Sequence, residues 1–319
     1  MPATSPHPTI RHLPFETREA LRSGFAVPTF VACCTRLVEN SIDAGATSVQ
    51  VDVYGATAIK VTDNGCGIRE EDLAKLGQRY MTSKIRSVSD LCRLDDTLGF
   101  RGEALASIAR MSELEIITKP AGENCWRARI LLCRQAGDAA PATQITVHPY
   151  SPFAVTGTIA IVREIYRNYP VRQRELHTNV RKEVEALVRT LETLMLVHPA
   201  ISVRLRVGSE AKTVRLNLPR VSTTYQRFGQ IYGNVLGRDL DYVAIDWEGM
   251  ELEGCITRSP VFKGGCQFIY IGKRQLVMDE IYALVNSVFG TSKYLKRESD
   301  CVLSKVAKRN SARYPAYIL

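Results

Sequence analysis

Three blocks of residues, met in order along the chain, carry side chains suited to holding a nucleoside triphosphate. They are Leu37-Val38-Glu39-Asn40-Ser41-Ile42-Asp43, then Asp63-Asn64-Gly65-Cys66-Gly67, then Gly99-Phe100-Arg101-Gly102-Glu103-Ala104-Leu105. Magnesium prefers an octahedron of oxygens and keeps several waters, so the amide oxygen of Asn40 plus substrate phosphates is enough to place it. An ionised carboxylate only accepts hydrogen bonds, so Asp63 at a strand end matches the exocyclic amino group of adenine. Gly65 and Gly67 let the backbone approach a base with no Cβ in between. In the third block, glycines open a helix whose free N–H groups and dipole favour phosphate. Each block alone has a plainer explanation: a helix-end amide, an Asp-Asn-Gly hairpin turn, an ordinary loop. All three in order, with Thr82-Ser83-Lys84 between the second and third, describe an ATP site.

Those side chains need elements to position them. Residues 1–14 are rich in proline and polar residues and read as a flexible arm, followed by a short helix over Glu16–Gly24. Pro28 suits the first position of the next helix, whose Val31, Leu37, Val38 and Ile42 recur near helical spacing and which should end at Ala44-Gly45. Alternation of Val49, Val51 and Val53 marks Ser48–Tyr54 as a strand, and Ala58–Thr62 is a second that delivers Asp63. A short helix over Glu70–Leu76 leads into a long connection, 77–102, of the kind that is usually functional in a compact domain. Helix Glu103–Met111 and strands over Leu114–Thr118, Trp126–Cys133, Gln144–Val147 and Thr158–Glu164 follow. Glu175–Leu196 has the longest amphipathic pattern in the chain. Beyond His198-Pro199 the pattern predicts strands Ile201–Val207, Thr213–Leu218, Leu240–Trp247, Met250–Arg258 and Gln267–Ile271, with helices Val221–Tyr232 and Asp279–Phe289. Lys293–Arg313 is basic and poorly periodic, and Pro315–Leu319 resembles the start of a strand.

The 319 residues are enough for about two domains at ~100–200 residues each. A boundary between about 205 and 215 gives an arm at 1–14, a first domain at 15–208 and a second at 209–319. Apolar residues make up 45% and charged residues 24% of the chain, the balance of an ordinary folded protein. The formal net charge of +9 favours an anionic partner: nucleotide, nucleic acid or an acidic protein surface. No apolar run approaches the ~18 residues of a membrane span, and the N-terminus has no basic segment leading into an apolar one, so neither a membrane partner nor a secretory signal is expected. Nine cysteines with no Cys-x-x-Cys spacing point to a reduced, intracellular protein without a zinc site. The five histidines show no ligand spacing, and Trp126 and Trp247 read as core. Arg163, Arg167, Arg172, Arg174, Arg181 and Lys182 surround a proline-containing loop. As a solvated face they would do nothing; as DNA contacts they would bind phosphate without reading sequence.

Asn40, Asp63-x-Gly65-x-Gly67, the segment carrying Thr82-Ser83-Lys84, and Gly99–Leu105 resemble the GHKL ATPases. More narrowly, Leu37–Thr47 and Gly157-Thr158 followed by Asn168-Tyr169-Pro170-Val171-Arg172 are similar to segments of the MutL family of DNA mismatch-repair proteins. Gln78–Lys84 and Val88–Leu91 resemble the eukaryotic branch whose members form the MutL-gamma heterodimer. The resemblance runs from about residue 10 to the end. It implies an α+β fold: a GHKL-type α/β sandwich holding ATP-Mg²⁺ under a lid at about 77–102, then a domain like ribosomal protein S5 domain 2. It makes Asn40 the Mg²⁺ ligand and Asp63, beside Gly67, the adenine contact, with Thr158 supporting the base. Thr82, Ser83 and Lys84 line the lid, and Gly99, Arg101, Gly102, Glu103, Ala104 and Leu105 meet the phosphates. Implied partners are DNA bound without sequence preference, contacted by Arg163, Arg167, Arg172 and Arg174, a second MutL homologue as heterodimer partner, and a MutS-type mismatch-recognition complex, all in the nucleus. In this family ATP closes the lid, N-terminal domains pair, and DNA is clamped.

Two departures limit the transfer. The family's general base is a Glu one helical turn before the Asn, on the same face at i and i+4. Here that position is Arg36, a guanidinium that stays protonated and has no acceptor. Glu39 is the possible substitute, although family members carry a Glu there in addition to the base. The chain also stops before the family's phosphate-sensing Lys and its C-terminal dimerisation and nuclease region, as expected of a fragment or a shortened gene product. Two rivals follow: another GHKL enzyme, for which a histidine kinase's phosphoacceptor helix has no room upstream, and a nucleotide-binding switch or assembly subunit without turnover.

Overall fold

The computed structural model describes residues 12–87, 89–90, 97–99, 101–133, 142–150, 155–233, 240–258, 266–291 and 315–319. Most of the expected arm, the basic segment 293–313, Phe100 and the side chain of Trp247 lie outside them.

The elements begin with α1 (Phe15–Ala26), α2 (Phe30–Asp43), β1 (Ser48–Tyr54), β2 (Ala58–Asp63), α3 (Glu70–Leu73) and α4 (Ala104–Met111). Strands β3 (Glu113–Lys119), β4 (Trp126–Cys133), β5 (Ala142–Pro149) and β6 (Gly157–Arg163) lead to α5 (Pro170–Leu196), β7 (Ser202–Val207) and β8 (Thr213–Leu218). The remainder comprises α6 (Thr224–Tyr232), β9 (Leu240–Trp247), β10 (Met250–Thr257), β11 (Gln267–Ile271), β12 (Arg274–Leu276), α7 (Asp279–Thr291) and β13 (Tyr317–Ile318). Eight strands form one sheet in the order β5-β4-β3-β6-β2-β1-β7-β8, antiparallel except where β1 runs parallel to β7. A second sheet runs β12-β11-β13-β10-β9.

Strand periodicity decides which side chains meet the helices. Val49, Val51, Val53, Ile59 and Val61 all point to one face and bury against Leu37 and Val38 of α2, Ile108 of α4, and Leu187 and Leu191 of α5. Each such fully buried aliphatic side chain contributes ~1.5–3 kcal/mol. Asp63 is the next inward position after Ile59 and Val61, so the pleat that fills the core also aims its carboxylate under the helix layer.

Several boundaries differ from the sequence-based expectation. Pro28 lies outside α2: Thr29 is the cap, its hydroxyl accepting from the Ala32 amide at 3.0 Å. Helix α3 stops at Leu73, and α6 starts at Thr224, capped by Thr223. Pro170-Val171-Arg172 is no loop; it opens α5, because proline needs no N–H at a first helical position. Strand β8 hydrogen-bonds to β7, so a division at residue 208 would cut the first sheet between two paired strands. Strand β13, the Pro315–Leu319 segment, is interior to the second sheet, antiparallel to β10 and parallel to β11.

Candidate nucleotide site

At the end of the inner face, register lines up three side chains from three strands: Asp63 opposite Thr158, and Thr158 opposite Thr118. Asp63 is 8% exposed. Its Oδ1 accepts from the amides of Gly65 (2.9 Å) and Thr158 (3.2 Å), and its Oδ2 from the Ser41 hydroxyl at 2.8 Å. Burial raises the Asp63 carboxyl above its usual range, and these three bonds to its charged form oppose that rise. A carboxylate offers about four lone-pair directions, so three bonds leave one for an amino donor. The Thr118 hydroxyl lies 3.1 Å from that of Thr158 and accepts from the Ile68 amide at 2.8 Å, tying the glycine loop to the row. Gly67 has φ +77° there, and a Cβ on it would stand 2.7 Å from the Lys119 carbonyl oxygen, so only glycine fits.

The other end of the site gathers on α2. Lys84 Nζ donates to Asn40 Oδ1 at 3.1 Å and forms an ion pair with Asp43. The Asp43 carboxylate also accepts from the amides of Leu98 (2.8 Å) and Gly99 (3.0 Å). One buried carboxylate thus joins two points, Lys84 and Leu98-Gly99, of the segment expected to be the lid. Asn40 and Asp43 already direct oxygens at a cation, the Lys84 ammonium, so the donor set fits a hydrated magnesium ion held through one amide oxygen. Gly102 has φ +62°, its carbonyl accepts from the Tyr80 amide at 3.1 Å, and a Cβ on it would stand 2.7 Å from the Met81 oxygen. Thr82 Oγ1 accepts from the Lys84 amide at 3.2 Å, while Ser83 and Arg101 are exposed.

Glu103 precedes α4, but its carboxylate does not cap that helix; it accepts from Arg22 at 2.7 Å and lies 3.7 Å from Arg79. Leu105 packs against the core, so neither side chain is aimed at phosphate, and what this turn offers is backbone N–H. Arg36 is about half exposed and donates to Glu39 at 2.7 Å. Glu39 is mostly buried. Burial raises its carboxyl, Arg36 and Lys84 lower it, and Asp43, four residues further along α2 and so on the same face, raises it.

The four arginines expected on DNA differ in their surroundings. Arg163 and Arg127 both pair with Glu115, 3% exposed, at 2.5 and 2.9 Å on the face of the sheet away from α2. Arg167 lies 3.7 Å from Glu164, Arg172 packs against Tyr166 and Tyr169, and Arg174 is exposed on the first turn of α5. Sequence reasoning missed Ser41, Asp43 and Thr118. Ser41 and Asp43 follow Asn40 within the first block, which was the available signal; Thr118 gave none. Among the described residues, no group of three or more His, Cys, Asp or Glu could hold a metal ion, and no helix is long and apolar enough to cross a membrane.

Residues 29–154 match the family model described as histidine kinase-, DNA gyrase B-, and HSP90-like ATPase. The chain is 35% identical over 279 residues to the DNA mismatch repair protein Mlh3 of Homo sapiens, covering 87% of this chain and 18% of that protein. It is 31% identical over 284 residues to the DNA mismatch repair protein MutL of Thermodesulfovibrio yellowstonii, covering 88% of this chain and 49% of that one. The chain therefore spans about half or less of the length of these relatives. Among solved structures it is similar to the N-terminal domain of a DNA repair protein, with TM-score 0.70 and 22% identity over 96% of this chain and 88% of that one. It is also similar to the Aquifex aeolicus MutL ATPase domain complexed with ADP, with TM-score 0.53 and 23% identity over 79% of this chain and 85% of that one. With the inward carboxylate of Asp63 beneath a helix layer that carries Asn40, these likenesses establish a GHKL fold, and the chain belongs to the MutL family of DNA mismatch-repair proteins.

Proposed function

We propose that this chain is the ATP-binding N-terminal region of a eukaryotic MutL homologue, of the branch that forms the MutL-gamma heterodimer. It would act in the nucleus in mismatch repair or meiotic recombination. The observation that carries the nucleotide reading is Asp63, buried, anchored by three donors and left with one acceptor direction. Asp63 would take the adenine amino group. Asn40 would hold magnesium, which when bound neutralises phosphate charge. Lys84, Gly99 and the start of α4 would meet the phosphates, with Lys84 passing from Asp43 to the nucleotide. Since Asp43 holds Lys84, Leu98 and Gly99 together, that transfer would release Lys84 from the Leu98-Gly99 end of the lid. ATP-driven pairing with a second MutL homologue, a clamp on DNA and contact with a MutS-type complex follow from the family reading. The branch is supported by similarity to Mlh3 of Homo sapiens and to MLH3 of Saccharomyces cerevisiae, 27% identical over 332 residues. For the S5-like second domain, we set the division after Leu218, where the first sheet ends.

A second reading, a nucleotide-binding switch without turnover, is favoured by one observation: Arg36, at the position where the family resemblance expects the general base, pairs with Glu39. A titration with ATP-Mg²⁺ beside a steady-state phosphate-release assay tests both. Saturable binding with release supports the ATPase, and binding with no release above buffer supports the switch. No saturable binding would refute the nucleotide site.

A further inference from the structure

Glu103 stands directly before α4, where free N–H groups and the helix dipole attract negative charge. A carboxylate there is a built-in competitor for phosphate, tied to the spot by the chain itself. Yet Glu103 makes no cap hydrogen bond to α4. Its Oε1 accepts instead from Nε of Arg22, on α1, at 2.7 Å. The Glu103 side chain is mostly buried, while Arg22 keeps about half of its own in solvent.

Arg79 is a second cation nearby, but it is not the direct hold. Its Nε donates to Glu19 Oε2 at 2.5 Å and its Nη2 to the Ser23 hydroxyl at 2.7 Å, both on α1. Its Nη1 lies 3.7 Å from Glu103 Oε1, beyond hydrogen-bond length, and is buried without a hydrogen-bond partner. Arg79 thus adds positive charge behind the carboxylate and leaves the short bond to Arg22. The Arg22 guanidinium also lies 5.0 Å from the centre of the Tyr80 ring, and the Tyr80 amide donates to the Gly102 carbonyl at 3.1 Å. One side chain of α1 therefore bears on Tyr80, near the start of the segment expected to be the lid, and on Glu103, just past its end.

We propose that Arg22 is a positioning residue for the nucleotide phosphates: by holding the Glu103 carboxylate against α1, it keeps the N-terminus of α4 clear of the chain's own anion. Arg22 acts through Glu103 and not by touching phosphate. Without it, Glu103 would fall back on the free N–H groups of α4 and repel the incoming charge. This inference rests on the nucleotide reading above and deepens its phosphate end.

Calorimetric titration with ADP and with adenosine separates the phosphate end of the site from the base end. In Arg22→Gln, ADP affinity is expected to fall roughly 5- to 30-fold, the range for a charge at a partly buried helix end, while adenosine affinity holds. Arg22→Lys keeps a cation for Glu103 and should retain most of the ADP affinity. The deciding variant is Arg22→Gln/Glu103→Gln, which removes the competing carboxylate together with its partner and should recover the ADP affinity lost in Arg22→Gln. Loss without recovery would make Arg22 itself a phosphate contact and overturn the proposal. Equal losses for ADP and adenosine, or no loss at all, would overturn it while leaving the nucleotide site standing. If the wild-type chain binds neither ligand, the nucleotide reading falls and this proposal with it.

Discussion

Arg36 Nη1 donates to Glu39 Oε2 at 2.7 Å, so the cation one helical turn before Asn40 occupies the carboxylate next to Asn40 in sequence. Burial raises the Glu39 carboxyl while Arg36 lowers it, so the pair also decides how readily Glu39 takes a proton. We expect Arg36→Glu to raise steady-state phosphate release, since a positioned base contributes ~10²–10⁴-fold. Nucleotide affinity should stay similar or weaken slightly as a cation is lost. Brisk wild-type release that collapses in Glu39→Gln would instead make Glu39 the base despite its partner.

Asp63→Asn replaces an oxygen acceptor by a donor in a site where Ser41, Gly65 and Thr158 all donate to the carboxylate. The expected cost to ADP binding is ~1–3 kcal/mol, or about 5- to 150-fold in affinity. Calorimetric titration of wild type and variant checks it, and equal affinities would remove Asp63 from the base site.

His198 makes folding depend on pH. Its folded value, about 4, lies below the ordinary 6.5, so the unfolded chain binds the proton more readily. Its contribution is present above pH 6.5 and is lost as pH falls through 4, amounting to ~3 kcal/mol over that window. Urea unfolding of wild type and His198→Gln at pH 7.5 and pH 4 should show a wild-type advantage that shrinks on acidification. An advantage that grows would reverse the assignment.

Arg163 and Arg174, both basic candidates for DNA, should behave differently. Arg163→Ala removes one of two partners of buried Glu115, at a cost of about 1–3 kcal/mol in stability. Arg174 is exposed at the start of α5, so Arg174→Ala should leave unfolding unchanged. If it meets a phosphate, the log–log salt slope of duplex binding drops by ~0.9 in magnitude. An unchanged slope would exclude it from the contact.

Gly102→Ala tests the turn before α4. A side chain at φ +62° is strained, and the new Cβ would press on Met81 backbone at 2.7 Å. A loss of ~1–3 kcal/mol is expected, read as weaker ADP binding if the turn holds phosphate and as lowered stability alone if it does not.

Much of the scaffold was legible because burial on one face writes a period into the chain. The alternation of Val49, Val51 and Val53, then of Ile59 and Val61, marked β1 and β2 and already put Asp63 on their inner side. The spacing of Leu176, Val184, Leu187 and Leu191 marked α5. Its first residues escaped notice because proline at a helix start looks locally like a loop. Strand β12 escaped because three residues carry no measurable period.

By itself the sequence determined the strands, the helices and the residue types for a nucleotide, since these depend on local spacing. Only the tertiary structure decided that Ser41 holds Asp63, that Asp43 clasps Lys84, Leu98 and Gly99, and that Glu115 claims Arg163. Those partners stand 22 to 56 residues apart, and nothing in local spacing specifies which distant polar groups the packed sheet and helices bring within reach. Once packing buries a carboxylate, leaving it unpaired is costly, so the fold rather than the motif chooses its donors.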